Sequence, residues 1–229
     1  MKVAVLFSGG KDSNFALFEA SKYYQISCLI CMNSENKESY MFQTPGNEFV
    51  KYQAECLSLP LIYYKTKGVK EEEIEDLYFA IQKAKEDFGI QGVVTGAIKS
   101  VYQASRVQKI CDKLDLWSIN PLWQKDEEKF MEELLKFKFD IRIIGIFSYP
   151  LNSKYLGKKY DFEILEELKI LNKKFGVSVA GEGGELETFI CDSPLFKKKI
   201  EIKESEIIMD SENSGVLNIK KIKIKNKNE

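Results

Sequence analysis

Two short stretches of this chain carry residues whose types and spacing could do chemistry. They are Ser8-Gly9-Gly10-Lys11-Asp12-Ser13 and Gly181-Glu182-Gly183-Gly184-Glu185-Leu186-Glu187-Thr188. In the first, the paired glycines permit positive φ and remove the Cβ atoms that would hold an anion away from the backbone N–H groups. Lys11 adds a cation, and Ser8 and Ser13 add hydroxyl donors. A helix terminus alone contributes about 0.3–1 kcal/mol toward an anion. Hydrogen bonds to charged groups contribute about 1.5–3 kcal/mol each, so the set acting together could bind a pyrophosphate. In the second stretch, Glu182, Glu185 and Glu187 crowd their charges, and that repulsion must be offset by a cation, a metal or hydrogen-bond donors. Its glycines mark backbone that bends or is closely approached.

Composition removes much other chemistry. The 229 residues include no histidine, which excludes Ser/His/Asp and Cys/His nucleophilic machinery and every histidine-containing zinc site. Five cysteines, an odd number, read as reduced thiols. Cys28 and Cys31 match CxxC, but the segment Ile26–Met32 reads as a strand, on which an offset of three sends the side chains to opposite faces. Lys+Arg 34 against Asp+Glu 35 leaves a formal charge of −1, so no global field draws the chain to nucleic acid. No apolar run approaches the ~18–20 residues that span a bilayer, and the N-terminus enters a strand without signal-peptide features, so the expected location is the cytoplasm, with no membrane partner.

The elements that position these stretches follow from periodicity. Lys2–Phe7 is a near-continuous apolar run, as in a central parallel strand. The turn at Ser8–Ser13 leads into a helix through Phe15, Leu17, Phe18 and Ala20, capped by Asp12 or Ser13. The pattern then predicts a helix over 47–57, a strand over 59–64, a helix from Glu71 to Phe88 with its acidic run at the favoured end, and a strand over 92–96. Alternating strands and helices imply right-handed crossovers, which bring Ser8–Ser13 and the loop Gly96-Ala97-Ile98 to the carboxyl edge of one sheet, where ligands bind in open α/β folds. The helix after Ser100 carries Tyr102, Gln103, Arg106 and Gln108; Arg106 offers a planar fork for a phosphate or carboxylate. A boundary falls near Lys125. Beyond it the pattern predicts a helix over 127–137, a strand over 141–147, a helix from Phe162 ending at Gly176, a strand over Val177–Ala180 that delivers the acidic glycine block, and short antiparallel edge strands around Ile200, Ile202, Ile207, Ile222 and Ile224.

The Ser8–Ser13 hexapeptide is not a Walker GxxxxGK[ST] loop. It resembles the PP-loop, SGGxDS, of the N-type ATP pyrophosphatases, and the whole chain resembles one branch of them, the diphthine-ammonia ligase family. The resemblance runs nearly end to end: Ser8–Ser13, Ser39–Thr44, Gly96–Ile98 through Tyr102-Gln103 and Arg106-Val107 to Cys111, Pro121-Leu122-Trp123, Leu156-Gly157-Lys158, and Gly181–Phe189 with Asp192, Pro194 and Phe196. Two positions depart from the family pattern, Asn47 in place of histidine and Gln108 in place of glutamate.

The resemblance implies an α/β fold with a HUP-like parallel sheet over 1–125, helices on both its faces, and a smaller C-terminal α+β domain over 126–229. It implies amidation of diphthine on translation elongation factor 2 with ATP, Mg2+ and ammonium, through an acyl-adenylate. Ser8, Gly9, Gly10, Lys11, Asp12, Ser13, Gly96, Ala97 and Ile98 would hold the nucleotide, and Asp12 the magnesium. Gln43, Tyr102, Gln103, Arg106, Glu182, Gly183, Gly184, Glu185, Glu187 and Thr188 would meet the substrate, with Lys11, Asp12 and Glu185 catalytic. A carboxylate of the acidic block could face the trimethylammonium group of diphthine, or hold or deprotonate ammonium. A tRNA-modifying enzyme that adenylates a base and a nucleotide sensor without chemistry are the competing readings; a homo-oligomer is possible. The expected arrangement brings Lys11 and Glu185 to one crevice.

Overall fold

The N-terminal apolar run forms β1 (Lys2–Leu6), whose Val3, Ala4 and Val5 are wholly buried. In the computed structural model, residues 1–34, 46–67 and 72–227 are described; the block Ser39–Thr44 with Gln43, and Glu71, lie outside them. The chain divides into two compact units, Met1–Ser8 with Asp12–Gln124, and Gly9–Lys11 with Lys125–Glu229.

In the first unit β1, β2 (Gln25–Ser34), β3 (Leu61–Thr66), β4 (Gly92–Val94) and β5 (Trp117–Ile119) form a parallel sheet in the order β3-β2-β1-β4-β5. Chain order reverses between β1 and β4, the switch point at which open α/β sheets bind ligands. The helices are α1 (Lys11–Ser21), α2 (Val50–Leu57), α3 (Glu72–Phe88) and α4 (Val101–Lys113). Ala4, Ile30, Val93, Leu77, Ile81 and Ile110 share one core cluster from sheet and helices. Burying each large aliphatic side chain contributes about 1.5–3 kcal/mol.

Several boundaries differ from the periodicity. β3 begins at Leu61 rather than Leu59, because Pro60 has no N–H for the ladder; its carbonyl instead accepts the Leu29 N–H at 2.8 Å. Asn47–Phe49 is a 3-10 turn ahead of α2. The edge strand β5, which exposes Trp117, has no buried pattern to announce it. α1 starts at Lys11, so Asp12 and Ser13 lie inside its first turn instead of capping it.

The second unit contains α5 (Glu127–Lys136), β6 (Asp140–Ile146), β7 (Lys159–Tyr160), α6 (Phe162–Phe175), β8 (Leu186–Asp192), β9 (Lys198–Ser211) and β10 (Ser214–Asn226). Asp126 and Asp161 cap α5 and α6, accepting the N–H groups of Lys129 and Ile164 at 2.9 and 3.0 Å. Gly176 at φ 75° ends α6, as its sequence position predicts. The strands pair antiparallel in the order β7-β6-β10-β9, with β8 along β6. The short C-terminal strands expected from alternation are one long hairpin, β9–β10, tied across by ion pairs such as Glu206–Lys220 at 2.6 Å.

Val177–Ala180 is not a strand. Its Ser178 hydroxyl accepts the N–H groups of Ala180 and Glu182 at 3.2 and 3.0 Å, satisfying the backbone locally in place of a ladder. Among the described residues no helix is long and apolar enough to cross a membrane.

Candidate functional site

The phosphate-loop hexapeptide follows β1 directly. Gly9 adopts φ 85°, a conformation that glycine enters without strain. Within the first unit, Ser8 Oγ and Ser13 Oγ stand 3.4 Å apart. The loop after β4 closes against the same turn: a Cβ on Gly96 would lie 2.8 Å from the Asp12 carbonyl carbon and 2.9 Å from the Ser13 nitrogen. Gly96 is glycine because backbone meets backbone there. Thr95, unremarked in the sequence, shapes this loop: its hydroxyl accepts the Ala97 N–H at 3.2 Å and donates to Asn120 Oδ1 at 2.5 Å. Ile98 O accepts the Gln124 N–H at 2.8 Å, folding the Pro121-Leu122-Trp123 turn back onto it. Ser8, Asp12, Ser13 and Gly96–Ile98 thus gather at the carboxyl ends of β1 and β4.

Gly9–Lys11 belong with the second unit, where they lie along β8. The Lys11 N–H donates to Thr188 Oγ1 at 3.1 Å, and the Ile190 N–H donates to Gly9 O at 3.2 Å. Lys11 is buried, with Nζ 5.9 Å from the Phe130 ring centroid, near the outer limit for a cation over an aromatic face.

The acidic glycine block leads into β8 as a clasped loop. Glu185 Oε1 accepts the Ser178 N–H at 3.0 Å and Oε2 accepts the Gly183 N–H at 2.9 Å, so both carboxylate oxygens are turned onto their own loop. A Cβ on Gly183 would lie 2.7 Å from Glu185 Oε1, and Gly181 and Gly184 have φ 72° and 81°. The Glu185 charge is therefore offset by backbone donors. Ser178 Oγ also donates to Glu127 Oε2 at 2.5 Å, which ties the loop to the first turn of α5. Neither Ser178 nor Glu127 stood out in the sequence: a serine in Val-Ser-Val-Ala reads as strand, and Glu127 as an ordinary first-turn acid. Glu187 lies opposite Gly145 in the β6–β8 register.

On α4, Ser100 Oγ caps the helix by accepting the Gln103 N–H at 3.3 Å. The Arg106 guanidinium stacks 3.4 Å from the Tyr102 ring centroid, which fixes the plane of its fork. Gln108 is exposed and donates to Asp112 Oδ1 at 2.7 Å on the same helix. Asn47 is buried, and its Nδ2 donates to Met32 O at 3.3 Å, at the end of β2.

In the first unit the Ser8 and Ser13 hydroxyls and the first-turn amides of α1 are donors of the kind that suits a phosphate, and in the second the buried Lys11 ammonium is another. No group of three or more His, Cys, Asp or Glu side chains that could hold a metal occurs among the described residues. Asp12 is the carboxylate of this loop that could hold a divalent ion. All five cysteines are buried and none forms a disulfide. Burial pushes the Cys28, Cys31, Cys111 and Cys191 thiols up to about 12, so they stay protonated at neutral pH.

Comparison with known proteins identifies the family. Residues 1–118 match the family described as diphthamide synthase N-terminal domain, and residues 126–224 match the diphthamide synthase C-terminal domain. A Homo sapiens protein named diphthine–ammonia ligase is 37% identical over 92% of this chain and 86% of its own length. A Danio rerio protein of the same name is 35% identical over 100% of this chain and 98% of its own. A Schizosaccharomyces pombe protein of that name is 36% identical over 92% of this chain, which corresponds to 38% of its length. A solved chain from Methanocaldococcus jannaschii, described as a predicted subunit of tRNA methyltransferase, superposes with TM-score 0.45 and 19% identity over 85% of this chain and 98% of that one. With both halves matched in order and relatives aligned over most of its length, the chain belongs to the diphthamide synthase family, that of the diphthine–ammonia ligases.

Proposed function

We propose that this chain is an AMP-forming diphthine–ammonia ligase, which converts diphthine on translation elongation factor 2 to diphthamide at the expense of ATP. The observation that carries the reading is the union of Gly9–Lys11 with the acidic glycine strand: Thr188 and Ile190 of that strand bond directly to the phosphate loop. The glycine-lysine segment of a phosphate loop and an acidic, cation-attracting loop within one unit suit a reaction that joins a nucleotide to a cationic acyl group.

The chemistry requires both. A carboxylate does not react with ammonia at neutral pH. In the proposed course a diphthine carboxylate oxygen attacks the α-phosphorus of ATP, and the bond to pyrophosphate breaks. Ammonia nitrogen then attacks the acyl carbon, the bond to AMP breaks, and the nitrogen sheds a proton. First-turn amides of α1 and Lys11 would meet the charge on the departing pyrophosphate. Asp12 would hold a magnesium ion, which supplies further charge neutralisation when bound. Gly96–Ile98 would border the nucleotide at the β1/β4 switch point. Glu182 and Glu187 would face the trimethylammonium group or the incoming ammonia, with Glu185 keeping their loop in shape. Tyr102, Gln103 and Arg106, and Gln43 outside the described residues, remain the substrate contacts proposed on α4 and before α2. Protonated, buried thiols count against a sulfur-transfer reading.

Incubation with ATP, ammonium and diphthine-bearing elongation factor 2 tests the assignment. Amide and AMP should appear together and neither without the acceptor protein. AMP formation that requires tRNA instead would contradict it.

A further inference from the structure

At the phosphate loop, Lys11 and Thr188 are joined by a hydrogen bond although they stand 177 positions apart. The Lys11 amide is the first of α1, one of the N–H groups that a helix leaves without an internal acceptor. Such amides usually find water or a local cap. Here both partners are 3% exposed, so water has little access to replace the hydroxyl. Two residues along β8, the Ile190 N–H holds Gly9 O. The two bonds bracket Gly10, fixing the carbonyl at the start of the left-handed Gly9 turn and the amide at its end.

We propose that Thr188, which the resemblance places among the substrate contacts, is a positioning residue for the nucleotide: its hydroxyl fixes the Gly9–Lys11 backbone of the phosphate loop, and it acts through the Lys11 amide. This rests on the reading of Ser8–Ser13 as the ATP loop. Its sequence neighbour Glu187 belongs to the acidic block, so the strand that presents those carboxylates also holds Gly9–Lys11. Removing the hydroxyl while keeping the shape takes this acceptor from a buried N–H, a loss that the loop must shift to make good.

The test compares Thr188→Val with Thr188→Ser by calorimetric binding of α,β-methylene ATP with Mg2+, alongside melting curves. The valine variant should bind the analogue about tenfold more weakly and the serine variant should recover to within about threefold of wild type. In turnover, KM for ATP should rise in the valine variant and KM for ammonium should not. A valine variant that binds as wild type, or a folded serine variant as weak as valine, overturns the proposal. Should the valine variant not fold, hydrogen exchange in the unmodified, nucleotide-free protein decides: the Lys11 amide should be protected, and exchange at the rate of an exposed amide overturns the proposal. Failure of the ligase reading is distinguishable, because the wild-type protein would then bind the analogue yet amidate nothing.

Discussion

Gly96 and Asp12 come together with no room for a side chain: a Cβ on Gly96 would lie 2.8 Å from the Asp12 carbonyl carbon. The neighbour is backbone at the start of α1, which cannot swing aside as a side-chain tip can. Gly96→Ala should push the first turn of α1 away from the end of β4, at an overpacking cost of about 1–3 kcal/mol. Calorimetry should show weakened binding of α,β-methylene ATP together with a lower melting temperature; unchanged affinity would mean that the Gly96 loop does not shape the nucleotide site.

Lys11→Met removes the one ammonium of the hexapeptide while keeping an unbranched side chain of similar reach. A charged hydrogen bond is worth about 1.5–3 kcal/mol, so kcat/KM for ATP should fall about 10- to 150-fold whatever the acceptor. Steady-state kinetics at saturating ammonium reads this directly.

Glu185 separates structure from chemistry. Both its oxygens accept backbone N–H groups of the 178–185 loop. Glu185→Ala should lower stability by about 1 kcal/mol, which for a chain of this size moves the melting temperature by roughly 2–4 °C, and should raise KM for the elongation factor. Glu185→Gln keeps one acceptor oxygen and should sit between alanine and wild type. Affinity for α,β-methylene ATP should stay within about twofold in both. A glutamine variant as inactive as alanine, yet as stable as wild type, would assign the carboxylate to catalysis instead.

Much of this architecture is legible in residue order. The apolar run of β1, the glycine turn behind it and the β–α alternation identify the parallel sheet, and Gly176 ends α6 where its position predicts. What escapes a local reading is whatever depends on a distant partner. The Lys11 amide at the start of α1 is accepted by Thr188, and no pattern near residue 11 announces that. Val177–Ala180 has strand-like composition, yet Ser178 and Glu185 divert its hydrogen bonds into a closed loop. In the same way the resemblance gives Glu185 a catalytic part within the acidic block, and no local pattern announces that both its oxygens are turned onto their own backbone.

The thiols give a prediction with a defined pH sign. Burial raises Cys28, Cys31, Cys111 and Cys191 to about 12 in the fold, against about 8.5 for an exposed thiol. The folded state therefore holds protons that the unfolded state releases between about pH 8.5 and 12, and stability falls as pH rises through that window. Iodoacetamide at pH 8 should leave the native enzyme unlabelled and fully active while labelling it completely in denaturant. Rapid labelling with loss of activity in the native state would show a reactive thiol and contradict the cysteine-independent scheme.

The fate of the diphthine oxygen tests the central claim most directly. With elongation factor carrying 18O in the diphthine carboxylate, mass spectrometry of the AMP released during amidation should find one 18O atom transferred to its phosphate in each turnover. AMP without the label, or amide formed with release of ADP, would contradict activation of the acyl group on the α-phosphate.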